Sequence, residues 1–177
     1  MNAPALFERV RCYWVQPGRF LAGEYPAGVD RPGASGRLDA ILDAGIDSFF
    51  DLTEPEELEP YASLLRGRAA PGGLAVEHRR FPIPDRGLPD EDAMRRLLDA
   101  LDAALADGHH VYVHCQGGLG RTGMVVGCYL VRHGHSGAGA LDRIALLRRS
   151  LPRALSPETS HQVAFVRNWS ETRSERP

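Results

Sequence analysis

The sequence predicts a single α/β domain with a central, mostly parallel sheet flanked by helices. Three observations carry that expectation. Short β-branched and aromatic runs alternate with longer stretches whose apolar residues recur at helical spacing, the pattern of strand–helix–strand units. One helical stretch, about 121–133, is apolar on most faces (Met124, Val125, Val126, Cys128, Tyr129, Leu130, Val131), so it is expected to run through a core. The stretch 111–123 (VYVHCQGGLGRTG) sets a strand, a glycine-rich loop and a helix start in immediate succession. With 177 residues, 43% of them hydrophobic, the chain suffices for one sizeable core, and it shows no internal repeat or second domain.

Taken in order, residues 12–16 (CYWVQ) and 19–23 (RFLAG) flank Pro17-Gly18 and read as a hairpin. Residues 24–36, with two prolines and three glycines, read as loop. Ser35 is expected to cap a helix of about 36–44, with Leu38, Ile41 and Leu42 on one face and Gly45 ending it. Residues 46–52 (IDSFFDL) form a core strand. Thr53, followed by Glu54, Glu56 and Glu57, suits a helix N-terminus running to about Leu65. Residues 67–73 read as loop, and 75–81 as a weaker strand because it carries Glu77, His78, Arg79 and Arg80.

Residues 81–89 (FPIPDRGLP) hold three prolines and are irregular. Asp90 is an N-cap for a long helix over 91–107, where Met94, Leu97, Leu98, Leu101 and Leu105 recur at helical spacing. Gly108 stops it, and strand 111–115 follows. Beyond 121–133 and its terminator Gly134, helices are expected at about 137–150 and 157–169. The polar stretch 170–177 reads as a disordered tail.

A net charge of −2 implies neither a nucleic-acid partner nor an anionic membrane surface. All 21 basic residues are arginine. Cys12, Cys115 and Cys128 cannot all pair and show no metal-type spacing, so a reduced, cytoplasmic setting and no metal are expected. The first fourteen residues lack the basic and apolar regions of a signal peptide, and no stretch approaches the ~20 apolar residues of a membrane span.

The strand–loop–helix segment is what a phosphate site needs. Glycines at 117, 118 and 120 let the backbone turn without Cβ atoms in an anion's way. N–H groups of Gln116–Gly120 can converge on phosphate oxygens, and Arg121 adds a planar fork able to bind two at once. Cys115 lies at the bottom of that cradle, where the field that holds phosphate also favours thiolate. A Walker loop is excluded, because it needs a lysine and this chain has none.

The residues His114-Cys115-x5-Arg121-Thr122, with Gly117-Gly118-Leu119-Gly120 between, resemble the signature of the cysteine-dependent protein tyrosine phosphatases, most closely the small dual-specificity branch. The resemblance implies a catalytic domain over 1–169 that hydrolyses phosphomonoesters through a phosphocysteine on Cys115, with no cofactor. It implies that the phosphate is held by Gln116, Gly117, Gly118, Leu119, Gly120 and Arg121 and that Thr122 helps the thiolate leave phosphocysteine; His114 itself reads as orienting the loop by hydrogen bonds. The loop cannot itself protonate the leaving oxygen, so an acid on a separate segment is needed. Pro82-Ile83-Pro84-Asp85 resembles the family's acid loop, which makes Asp85 the general acid, and Asp90 is its rival. Gln162 resembles the late glutamine that positions water in some relatives, while the residues alone fit an exposed helix glutamine.

Other residues have blander readings. Asp51 reads as structural, Cys128 and Cys12 as buried and inert, with a disulfide to Cys115 under oxidation a lesser possibility. Arg143, Arg148, Arg149 and Arg153 read as a solvated helix face, with reception of an acidic phosphoprotein as the alternative. The expected partner is a phosphorylated protein or a small phosphoester. The competing readings are a phospho-residue binding module without turnover, or a phosphatase of inositol or nucleotide phosphates.

Overall fold

The computed structural model describes residues 3–27, 33–152 and 155–171. A short helix, Ala3–Arg9 (α1), which the sequence did not signal, precedes the hairpin of Cys12–Gln16 (β1) and Phe20–Gly23 (β2). Ala34–Asp43 (α2), Ser48–Asp51 (β3), Ala62–Ala69 (α3) and Glu77–Arg80 (β4) follow. Next come Glu91–Ala106 (α4), Val111–His114 (β5), Gly120–Arg132 (α5), Gly137–Leu147 (α6) and Ser160–Asn168 (α7). The five strands form one sheet in the order β1-β2-β5-β3-β4. Only β1 and β2 are antiparallel; every other pair is parallel, so the expected mostly parallel sheet is present.

Alternation along the strands divides the core into two layers. Tyr13, Val15, Phe20, Ala22, Phe50, Val111 and Val113 pack on one side with Met94, Leu97, Leu98 and Leu101 of α4, Met124, Val125 and Val126 of α5, Ile144 of α6 and Val166 of α7. Cys12, Leu21, Phe49 and Tyr112 face the other side, against Leu6 of α1, Leu38 and Ile41 of α2, and Leu65 of α3. As its composition requires, α5 is buried from Gly120 through Leu130. Asp90 accepts a hydrogen bond from the Ala93 N–H at 2.6 Å, the cap that starts α4. The charged strand β4 lies at the sheet edge beside β3, where half-exposed arginines discourage further pairing.

Several local expectations fail for identifiable reasons. Gly33, not Ser35, stands at the N-cap of α2, so Ser35 lies within the helix. No helix runs from Thr53 to Leu65. Pro60 has no N–H to donate and disfavours helix at Glu59, and Glu56 takes a left-handed φ of 66°. Residues 55–57 form a turn instead, and the Glu57 carboxylate accepts the Glu54 N–H at 2.9 Å. The helix begins late and occupies part of 67–73, with a 3-10 turn at Ala70–Gly72. Of the tail, Glu171 is exposed but tied down, accepting from Arg132 at 2.9 Å and from the Trp169 indole at 2.8 Å. Residues 172–177, like Arg153, lie outside the described residues.

The registers align the ends of the parallel strands. Gly23 and Asp51 both stand opposite His114, and Arg80 opposite Asp51. The segments leaving β2, β3, β4 and β5 therefore converge at one end of the sheet, where α/β folds place their sites.

Candidate active site

β5 delivers His114 and Cys115 to this end, and the loop 116–119 leads directly into α5. The loop is shaped by donors outside it. The Gln116 carbonyl accepts from the Tyr25 N–H at 3.0 Å, the Gly118 carbonyl from Arg148 Nη1 at 2.8 Å, and the Leu119 carbonyl from Ser156 Oγ at 2.8 Å. In a planar trans peptide the N–H points opposite to the C=O. Fixing these three carbonyls turns the N–H groups of Gly117, Leu119 and Gly120 away from the surrounding donors, the arrangement of an anion cradle. Gly118 takes φ 65° and presses on β2: a Cβ there would meet the Gly23 carbonyl carbon, its oxygen at 2.6 Å and the Glu24 nitrogen at 2.7 Å. Cys115 is buried at 3% exposure, and the Thr122 hydroxyl is fully buried without a hydrogen-bond partner among the described residues.

Arg121 leaves the first turn of α5 and is gripped by carboxylates from two other segments. Its Nη1 and Nη2 each lie 2.7 Å from an oxygen of Glu57, a two-pronged pair. Nη2 is also 3.0 Å from Asp85 Oδ1, and Nη1 reaches the Ile83 carbonyl at 3.2 Å. Burial would lower the guanidinium pKa, but Glu57 and its neighbours drive it higher still. Burial likewise works to raise the pKa of Glu57, and Arg121 overrides it to hold that carboxyl below its usual range. Asp85 lies on the turn after β4 and is half exposed; the Gly87 N–H bonds to the Pro84 carbonyl at 2.9 Å.

A second network centres on the fully buried Asp51 and His114. Asp51 accepts from the Thr53 N–H at 2.9 Å and hydroxyl at 2.7 Å, and from Arg80 at 3.0 Å, with His78 at 3.3 Å. Burial opposes ionisation of Asp51, yet these donors and His114 hold its carboxyl well below the usual range. The Tyr61 hydroxyl and His114 Nε2 are 2.6 Å apart. Burial pushes the His114 pKa down to about 4 against the pull of Asp51, so this ring is neutral at pH 7 and acts by geometry, not by charge.

The structure thus brings Arg121 and Asp85 together, residues separated by 36 positions in the chain, and leaves Asp90 as a helix cap. Gln162 is not exposed: it is fully buried on α7. Its Nε2 donates to the Gly87 carbonyl, two residues beyond Asp85, at 3.2 Å. A Cβ at Gly120 would meet its Oε1 at 2.7 Å, so one glutamine touches both the segment that carries Asp85 and the start of α5. The motif Thr159-x-x-Gln162 is a reciprocal capping box, a legible signal that fixes this residue in the first turn of α7. The expectation of a solvated arginine face holds for Arg143 and Arg149 but fails for Arg148, which is 3% exposed. Cys12 and Cys128 are buried and unpaired, as expected, with burial pushing the Cys12 thiol up to about 12. No group of three or more metal-type ligands converges among the described residues.

In the sequence Glu57 has a helix-start reading and Arg148 a surface one; neither is read there as a neighbour of the Cys115 loop. Glu57 follows a parallel strand at its site end, and that position is a usable signal. Nothing in the sequence distinguishes Arg148 from Arg149.

Comparisons with known proteins bear on the family and the fold. A family model described as "Swiss Army Knife protein, DSP-PTPase phosphatase domain" matches residues 9–169. The phosphatidylinositol 3,4,5-trisphosphate 3-phosphatase and protein-tyrosine-phosphatase PTEN1 of Arabidopsis thaliana is 27% identical over 128 residues, covering 71% of this chain. The dual specificity protein phosphatase CDC14B of Mus musculus is 36% identical over 76 residues, covering 43% of this chain. The chain spans only 31% and 15% of those relatives' own lengths. A crystal structure of Tk-PTP in the active form superposes with a TM-score of 0.68 at 28% identity, over 87% of this chain and 92% of that one.

Proposed function

The chain belongs to the DSP-PTPase phosphatase family, and on that premise we propose that it hydrolyses phosphomonoesters through a phosphocysteine on Cys115. The phosphoryl group is held by the backbone N–H groups of 116–120 and by Arg121. The Cys115 thiolate attacks phosphorus, the bond to the leaving oxygen breaks, and Asp85 supplies the proton that oxygen needs. In the second step water attacks the phosphocysteine, Asp85 accepts its proton, and the thiolate departs with the Thr122 hydroxyl as its hydrogen-bond donor. Glu57 and Asp85 occupy the Arg121 fork in the free protein. Phosphate oxygens take over the Asp85 contact and leave that residue facing the leaving group.

The observation that carries this reading is the 3.0 Å contact between Asp85 and Arg121, which sets a carboxyl from a separate segment beside the arginine that follows the Cys115 loop. Gln162 supports it by tethering the acid loop, and His114, fixed by Tyr61, supports the loop from below. The chemistry asks for no cofactor or metal. The catalytic unit is the segment through 169. Three unpaired cysteines suit a reducing, cytoplasmic setting, and no helix among the described residues is long and apolar enough to cross a membrane.

We favour phosphorylated protein or small phosphoesters as substrate, since Gln116–Gly120 carry no cation for a polyphosphorylated headgroup. The likeness to PTEN1 keeps a phosphoinositide reading as the competitor. Turnover of an aryl phosphate, a phosphotyrosine peptide and a phosphoinositide, all with EDTA present, tests both. Metal-independent turnover lost in Cys115→Ser establishes the mechanism, and the ratio of rates establishes the class. Phosphopeptide binding without turnover replaces the hydrolase with a binding module.

A further inference from the structure

Arg148 stands out among the charged residues that the reaction does not use. It follows α6, is 3% exposed, and lies on the outer side of the phosphate loop. Its guanidinium stacks over Tyr13, 5.2 Å from the ring centroid, and Nη1 donates to the Gly118 carbonyl at 2.8 Å. Its Nε is buried without a partner, and among the described residues no carboxylate comes within ion-pairing distance of it. A buried cation without a counter-charge is costly. Burial pushes the Tyr13 hydroxyl up to about 12, so that residue is no anion either.

We propose that Arg148 is the positioning residue of the phosphate loop, acting through the Gly118–Leu119 peptide on an oxyanion bound in the cradle. This rests on the phosphate-binding reading of Cys115–Arg121 and adds a residue to it. Because Arg148 holds the Gly118 carbonyl outward, the Leu119 N–H of the same peptide unit faces the anion side. Gly118 cannot hold this orientation alone, since glycine at φ 65° adopts many alternatives at little cost. The donors to Gln116 and Leu119 are neutral (a backbone N–H and a serine hydroxyl), so Arg148 is the charged one of the three. A phosphate dianion in the cradle supplies a counter-charge to this buried cation through the Gly118–Leu119 peptide.

The test compares wild type with Arg148→Gln, Arg148→Lys and the exposed-neighbour control Arg149→Gln. Measured are the dissociation constant of inorganic phosphate, kcat and KM for an aryl phosphate, and the thermal midpoint of each variant. Arg148→Gln is expected to weaken phosphate binding at least tenfold while remaining folded, Arg148→Lys to recover part of the loss, and Arg149→Gln to match wild type. In the wild-type protein, which raises no folding question, the Leu119 amide proton should move downfield as phosphate saturates the site. A folded Arg148→Gln with wild-type phosphate affinity overturns the proposal, as does an unmoved Leu119 amide in phosphate-saturated wild type. If wild type turns over no phosphoester yet shows the phosphate-binding pattern, the hydrolase reading falls and the role of Arg148 stands. A wild-type protein that binds no phosphate overturns both.

Discussion

Replacing Gly118 with alanine tests how the phosphate loop is held. The new methyl group would meet the Gly23 carbonyl carbon, its oxygen at 2.6 Å and the Glu24 nitrogen at 2.7 Å, all backbone atoms of the sheet end that cannot rotate aside. The residue also keeps φ 65°, which costs an L-residue about 1–2 kcal/mol. Forcing an extra carbon into a closely packed site adds about 1–3 kcal/mol. If the loop stays in place, the total is about 2–5 kcal/mol. For a chain of this size that corresponds to a thermal midpoint lower by roughly 4–20 °C. The alternative relief is for the loop to lift from β2, which keeps stability but breaks the Arg148–Gly118 hydrogen bond and turns the Leu119 peptide. Phosphate affinity then collapses while the midpoint holds. Calorimetry together with phosphate inhibition of aryl phosphate turnover separates the two. A variant with both the midpoint and the inhibition constant of wild type would refute the packing argument.

The remaining predictions concern the acid, the arginine clamp and the buried histidine. Asp85→Ala should lower kcat by ~10²–10⁴ at neutral pH, whereas Asp90→Ala should cost about 1 kcal/mol of stability through the lost cap and leave kcat intact; the reverse pattern in steady-state kinetics makes Asp90 the acid. Glu57→Gln loosens the two-pronged grip on Arg121 and should reduce kcat/KM about tenfold, or about 1.4 kcal/mol, and an unchanged value removes Glu57 from the site's architecture. Burial holds the His114 pKa down to about 4 in the fold, whereas the unfolded chain protonates the ring near its ordinary value of 6.5. Its contribution to stability is therefore complete above pH 6.5 and is lost as pH falls towards 4, by up to about 3 kcal/mol. The depressed carboxyls of Asp51 and Glu57 act in the same direction below the ordinary carboxylate range. Denaturant titrations from pH 7 to 4.5 should show this slope and should show it flattened in His114→Asn; a flat wild-type profile contradicts the buried neutral ring.

The sequence by itself determined the elements whose causes are local. The leucine spacing of α4, the Asp90 cap, the apolar α5 and the glycine-rich loop beyond β5 depend on neighbours within a few residues, so they read directly from the chain. The cysteine and arginine of the loop were legible for the same reason, being six positions apart on one turn of backbone. Tertiary structure decided what surrounds them. Glu57 meets Arg121 across 64 residues because parallel strands β3 and β5 end side by side. Gln162 reaches Gly87 across 75 residues because α7 packs on α5. Arg148 reaches Gly118 because the end of α6 brings it beside the loop, while the adjacent Arg149 is exposed. Local pattern records what a residue is and which neighbours share its face. Which of two identical side chains becomes buried against a distant carbonyl depends on how helices pack across the sheet, and no short window of sequence contains that.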